Sequence, residues 1–262
     1  MGNGLRVALA GKGGAGKTTT SATLARLLAR QGHQVLVIDG DSNPNVAFAL
    51  GLERSQAAAI PALPAGLAAR RLHGPGLVKS VGDVVREHGV TGPDGVDVVI
   101  MAMPGHADEG CLCSAHATVS ALLADAGGED RMITILDLEA SPEHLSRGTA
   151  RHVDALLLIT EPYYRSLETA RRMAALAAEL PIPYVGVVAN KIRTENDSDA
   201  ILEFCERHSL HVAGQVPWGD AVTEADRLGV PLIEFDGDGP VVAGIAGVAN
   251  HLLNLSVGVP AP

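Results

Sequence analysis

The stretch AGKGGAGKTTT, Ala10 to Thr20, constrains the fold of this chain more than any other. It follows the apolar run LRVALA and leads into the amphipathic TTSATLARLLARQG, so a strand must pass through a tight glycine-rich loop into a helix. The residues Gly11 to Thr18 satisfy G-x-x-x-x-G-K-[ST] in full. Gly11, Gly13, Gly14, Ala15 and Gly16 let backbone N–H groups turn inward around an anion, and the start of the helix adds its partial positive charge. Lys17 then reaches the β- and γ-phosphates of a nucleotide and Thr18 offers its hydroxyl to Mg²⁺, with Thr19 counted among the nucleotide contacts. A plain glycine-rich turn with a surface lysine is the alternative, and the agreement of strand, loop and helix weighs against it.

Beyond the loop, short β-branched runs alternate with Ala- and Leu-rich helical patterns. QVLVID, VDVVIMAM, MITILDL, DALLLIT, YVGVVAN and HVAGQV are apolar nearly throughout, as strands covered on both faces are. The expected class is α/β, with a mostly parallel sheet wrapped by helices on both faces. At 262 residues and 47% hydrophobic, the chain suits one large domain spanning 1–262. Glu53 to Asp94 breaks the rhythm with Pro, Gly and Ala, and reads as a partly helical insertion without a clear strand.

Two acidic clusters stand at strand ends, where open α/β sheets bind ligands. In IDGDSNPN, Asp39 ends the second strand and Asp41 lies just beyond it. Phosphoryl transfer needs a carboxylate near the metal and a group that orients the attacking water, so Asp39 is assigned to the Mg²⁺ shell and Asp41 to the water. The same residue types also make ordinary turns after strands. In ILDLEASPEHLSRG, Asp137 ends another strand and is placed to hold Mg²⁺. Glu139, Glu143 and His144 follow it, either as switch residues or as the acidic start of a helix.

A lysine at the second position of the loop, Lys12, makes the motif a variant P-loop. Here the sequence resembles the dimeric ATPases that include nitrogenase iron protein and the MinD and ParA group. The resemblance implies an ATP-dependent homodimer in which Lys12 reaches the nucleotide of the other subunit, and Asp137 takes the Walker B position. It also places Asn190, in VVANK, against the adenine, with Pro217 and the VPWGD loop flanking the base. Asn190 also suits a plain turn, and Trp218 either stacks on the base or covers core. Relatives carry a glycine shortly after the Walker B carboxylate, where this chain has Ser141 and Pro142.

Two of the three cysteines, Cys111 and Cys113, sit one residue apart in DEGCLCSAH. Thiols at i and i+2 of an extended segment share one side, so both can face one ion. A pair is half of a four-sulfur site, and two subunits would complete it. The flanking glycine and serine argue against a packed core strand, while Cys205 in ILEFCERHS suits core packing. His106 and His116 lie near the pair and are secondary candidates. GCLCS together with the variant P-loop and DLEASPEHLSRGT resembles the CooC-type accessory ATPases of carbon monoxide dehydrogenase maturation. That resemblance implies an ATPase using ATP/ADP and Mg²⁺, binding Ni²⁺ or Zn²⁺ between subunits and inserting nickel into a client metalloenzyme such as carbon monoxide dehydrogenase. An iron–sulfur cluster ranks behind these ions. The competing functions are a spatial organiser of the MinD or ParA kind and an iron-protein-like electron donor. Acidic residues outnumber basic ones by 30 to 20, a formal charge of −10, which argues against nucleic acid as a partner. Interrupted apolar runs argue against a membrane span. Few cysteines and no visible secretory leader suggest the cytoplasm.

Overall fold

A computed structural model describes residues 4–71, 74–102, 113–141 and 143–258. The seven apolar runs are all strands. They are β1 (Leu5–Gly11), β2 (Gln34–Gly40), β6 (Asp97–Ile100), β7 (Met132–Leu138), β8 (Ala155–Thr160), β9 (Tyr184–Ile192) and β10 (His211–Pro217). With the short β5 (Val90–Thr91) they form one sheet in the order β10-β9-β8-β1-β7-β2-β6-β5. Every pairing is parallel except that of β5 with β6. All seven residues of β7 and all six of β8 are buried, the burial on both faces that their unbroken apolar sequence requires.

Eleven helices join the strands among the described residues: α1 (Lys17–Arg30), α2 (Val46–Leu50), α3 (Arg54–Ala58), α4 (Val81–His88), α5 (Cys113–Ala126), α6 (Glu143–Ser146), α7 (Tyr164–Ala177), α8 (Glu195–Arg207), α9 (Asp220–Leu228), α10 (Leu232–Phe235) and α11 (Pro240–Gly258). Alternate residues of β1 feed two cores. Val7 and Leu9 pack with Leu24 and Leu28 of α1 and Ile245 and Leu252 of α11. Ala8 and Ala10 face the opposite layer, with Val119 and Leu122 of α5, Met173 of α7 and Phe204 of α8. Period-2 alternation along the strand thus meets helical stripes above and below.

Within 53–94, α3 begins with a reciprocal cap between Glu53 and Gln56, and the Ser80 hydroxyl accepts from the N–H of Asp83 at the start of α4. The expectation of no strand there is corrected, because β3 (Ala68–Arg71) pairs antiparallel with β4 (Gly74–Leu77), and β5 closes one sheet edge. The four-residue strands AARR and GPGL carry no local β signal. The hairpin is held by docking: Leu67 and Leu77 are buried in the second core, and the N–H of Leu77 donates to Asp125 Oδ2 of α5 at 2.9 Å.

Candidate nucleotide site

The register of three adjacent strands sets out the site. Leu9 of β1 lies opposite Asp137 of β7, which lies opposite Asp39 of β2, so the glycine loop and both strand-end acids emerge at one level. The chain leaves β1 towards β2 on one side and returns through β8 on the other, so the loop sits where the connections diverge.

Within the loop, Gly14 and Gly16 have φ of +80° and +97°, which side-chain-bearing residues rarely adopt. A Cβ on Gly16 would come within 2.4 Å of Asn190 Nδ2, so this glycine is required by space as well. Lys17 opens α1, is buried, and its Nζ donates to the Lys12 carbonyl at 3.3 Å. Burial lowers its ammonium pKa, with Asp137, Asp41 and Glu139 pulling the other way. The Thr18 hydroxyl donates to Asp137 Oδ2 at 2.7 Å and the Ser21 hydroxyl to Oδ1 at 2.9 Å. Burial still lifts the Asp137 carboxyl to about 6. A buried carboxylate paired with a loop threonine is a donor set suited to a hard dication, which would offset the cost of burying the charged carboxylate.

Asp39 has a second task. Its Oδ1 accepts from the N–H of Asp41, and its Oδ2 from those of Asn45 and Val46, so it caps α2 and shapes the loop that carries Asp41. Full burial, with Asp137 adding to it, lifts its carboxyl to about 7. Asp41 lies close enough to Lys17 and Asp137 to act on both, and its Oδ1 accepts from the Asn43 N–H at 2.8 Å. Glu139 and Ser141 lie just past β7, where the Ser141 N–H donates to the Glu139 carbonyl, and Ala140 faces Gly13 across the loop.

Asn190 donates to the Ala15 carbonyl at 2.7 Å, bracing the loop from β9. With Gly16, Thr19, Val216, Pro217 and Trp218 it lines a cleft of about 130 Å³ beside the loop. Trp218 stands at this cleft, with the Arg193 guanidinium 3.9 Å from its ring centre and its Nε1 donating to Asp220. The reasoning from sequence missed a further brace: Lys191 Nζ donates to the Gly14 carbonyl at 2.6 Å and to Glu161 Oε1 at 2.8 Å. The Tyr163 hydroxyl donates to Glu161 Oε2 at 2.6 Å, which lifts the phenol to about 12, and Lys12 Nζ stands 3.4 Å from that hydroxyl. Glu161 follows β8 directly, so the strand-end rule applied to Asp39 and Asp137 would have found it.

Cys111, His106 and Pro142 lie outside the described residues. Cys113 is the exposed first residue of α5, at the same end of the sheet as the glycine loop, and Arg147 Nη1 lies 3.4 Å from its Sγ. Cys113, His116, Arg147 and Arg151 help to line a second cavity of about 530 Å³. His116 Nδ1 is engaged at 2.8 Å by the Thr149 hydroxyl. Cys205 is buried, its thiol lifted to about 11 by burial, in keeping with a packing role. Among the described residues no group of three or more His, Cys, Asp or Glu is placed to hold a metal.

A phosphate loop at the centre of a parallel sheet, with a buried acid on its threonine, defines a P-loop ATPase. More narrowly, this chain belongs to the CobQ/CobB/MinD/ParA nucleotide binding domain family, which matches residues 7–232. It is 32% identical over 242 residues to the carbon monoxide dehydrogenase accessory protein CooC of Rhodospirillum rubrum, covering 88% of this chain and 90% of that protein. It is 33% identical over 236 residues to an uncharacterized ATP-binding protein of Methanocaldococcus jannaschii, covering 87% and 91%. Its fold matches the MinD cell division protein of Aquifex aeolicus with a TM-score of 0.68 at 19% identity, over 98% of both chains. No helix among the described residues is long and apolar enough to cross a membrane.

Proposed function

We propose that this ATPase works as a homodimeric accessory protein that holds a thiophilic metal ion between subunits and couples ATP hydrolysis to its delivery. The cargo is Ni²⁺ or Zn²⁺, and the client is a metalloenzyme such as carbon monoxide dehydrogenase. The observation that carries this reading is the exposed Cys113 at the sheet end that also bears the glycine loop, in a chain similar along most of its length to a carbon monoxide dehydrogenase accessory protein. Cys111 and Cys113 of each subunit supply two thiolates, and two subunits supply the four that a closed soft-metal site needs. Ligation needs thiolates, so loading requires reduced protein.

In the nucleotide site, Gly11 to Thr19 bind the phosphates, Lys17 and the partner's Lys12 meet charge that develops on the γ-phosphoryl oxygens, and Asp41 orients the attacking water. Thr18 and Asp137 would hold Mg²⁺, with Asp39 behind them, and the ion would supply charge neutralisation to the phosphates. Asn190 and Pro217 border the base.

Equilibrium dialysis of reduced protein with Ni²⁺ and Zn²⁺ tests the shared site. One tight ion per two subunits is expected, lost on Cys111→Ser with Cys113→Ser while ADP binding persists. Lys17→Ala should abolish turnover, and Asp41→Asn should slow it while ATP still binds. One tight ion per monomer, or undiminished binding by the double variant, refutes the shared site.

A further inference from the structure

Two buried histidines join the helix that begins with Cys113 to the loop that carries Asp39 and Asp41. His116 lies one turn into α5 and is 6% exposed; His144, in α6, is 1% exposed. Their rings meet edge to face, 4.7 Å between centres and 74° between planes. Thr149 ties the pair from behind: its hydroxyl engages His116 Nδ1 at 2.8 Å, and its N–H donates to the His144 carbonyl at 2.9 Å. On the far side, His144 packs beside Gly40, the residue between Asp39 and Asp41. Its buried Nδ1 has no hydrogen-bond partner among the described residues. Gly40 fits tightly there, since a Cβ would meet the Asp137 carbonyl at 3.1 Å and His144 Cε1 at 3.5 Å.

We infer that His116 and His144 are positioning residues that couple the first turn of α5 to the Asp39–Asp41 loop, so the state of the cysteine site and the state of the nucleotide site bias each other. The inference rests on the proposed roles of Cys113, Asp39 and Asp41. Its physical basis is that packed, fully buried rings transmit a displacement because the interior has no slack to absorb it. Any such coupling is reciprocal, so nucleotide must alter the cysteine end as much as the cysteine end alters nucleotide binding.

The reciprocity gives a readout that needs no metal. Reduced full-length protein is alkylated with iodoacetamide, and the rate at Cys113 is followed by peptide mass spectrometry with and without a non-hydrolysable ATP analogue and Mg²⁺; buried Cys205 is the internal control. Wild type should show a several-fold nucleotide effect at Cys113. His144→Leu and His116→Phe should bring the ratio close to one at saturating nucleotide, while retained nucleotide binding and a wild-type circular dichroism spectrum show that the fold is intact. A nucleotide-independent rate in wild type, or a wild-type ratio in both His144→Leu and His116→Phe, overturns the coupling. If dialysis finds no metal while these alkylation ratios hold, the metal reading fails and the coupling stands.

Discussion

Replacing Asp137 with Asn removes a charge that the nucleotide-free protein holds at a cost. Desolvation is the largest influence on this carboxyl and lifts it from 3.8 to about 6, even though Thr18 and Ser21 donate to it and Lys17 attracts it. The folded protein therefore binds the proton more tightly than the unfolded chain does. The stability tied to this group is complete below about pH 4, falls as pH rises towards about 6, and is level above that. At about 1.36 kcal/mol per tenfold change in proton affinity, wild type gives up about 3 kcal/mol above pH 6 that an uncharged Asn does not. The amide can accept only one of the two hydroxyl bonds as before, and turning the other costs about 1 kcal/mol. The net gain is about 2 kcal/mol, or roughly 4–8 °C in unfolding temperature for a chain of this size. Asp39 strengthens the effect, since Asp137 is one cause of its own raised pKa. Circular dichroism melts in EDTA without nucleotide, from pH 4.5 to 8, should show the variant more stable at high pH and the two curves converging in acid. ATP turnover should be lost in the same variant. A variant less stable than wild type at pH 8, or a gap that acid does not narrow, would refute this account of the buried carboxyl.

Gly16→Ala forces a side chain into a left-handed conformation and against Asn190, at a cost of roughly 1–3 kcal/mol; calorimetry should show ADP affinity at least tenfold weaker. Lys12→Gln removes the cation that stands by Tyr163 in the monomer and that is proposed to cross to the partner's nucleotide. This variant should bind ATP but fail to dimerise in light scattering with a non-hydrolysable analogue, and wild-type dimerisation would discount the crossing. Arg26 is 3% exposed and bonds Asp94, Glu234 and the Leu50 carbonyl. Arg26→Met should cost roughly 2–4 kcal/mol in chemical denaturation, because it strands the buried carbonyl while Asp94 keeps only Arg30.

Local order alone determined a large part of this protein. The strands of the parallel core were readable because a strand covered on both faces must be apolar throughout, and the glycine loop because few other residues permit its backbone. Strand ends likewise marked Asp39 and Asp137 as candidates, since the residues after a parallel strand lie at the ligand-binding edge, whereas Asn190 came from the family resemblance. The tertiary structure alone decided the rest. The β3–β4 hairpin carries no alternating pattern, and exists because Leu67 and Leu77 find a core against α5. Asp39 reads as an acid near a metal, yet the chain folds so that its oxygens also meet three backbone N–H groups from residues 41 to 46. Glu161 and Lys191 are 30 positions apart, and His116 and His144 nearly as far; no spacing rule joins them. Periodicity reports which face of an element is buried, whereas contacts between elements depend on how the sheet orders its strands, and β1 has β7 and β8 as neighbours rather than β2. That ordering brings the glycine loop, the buried acids and the histidine pair to one end of one sheet.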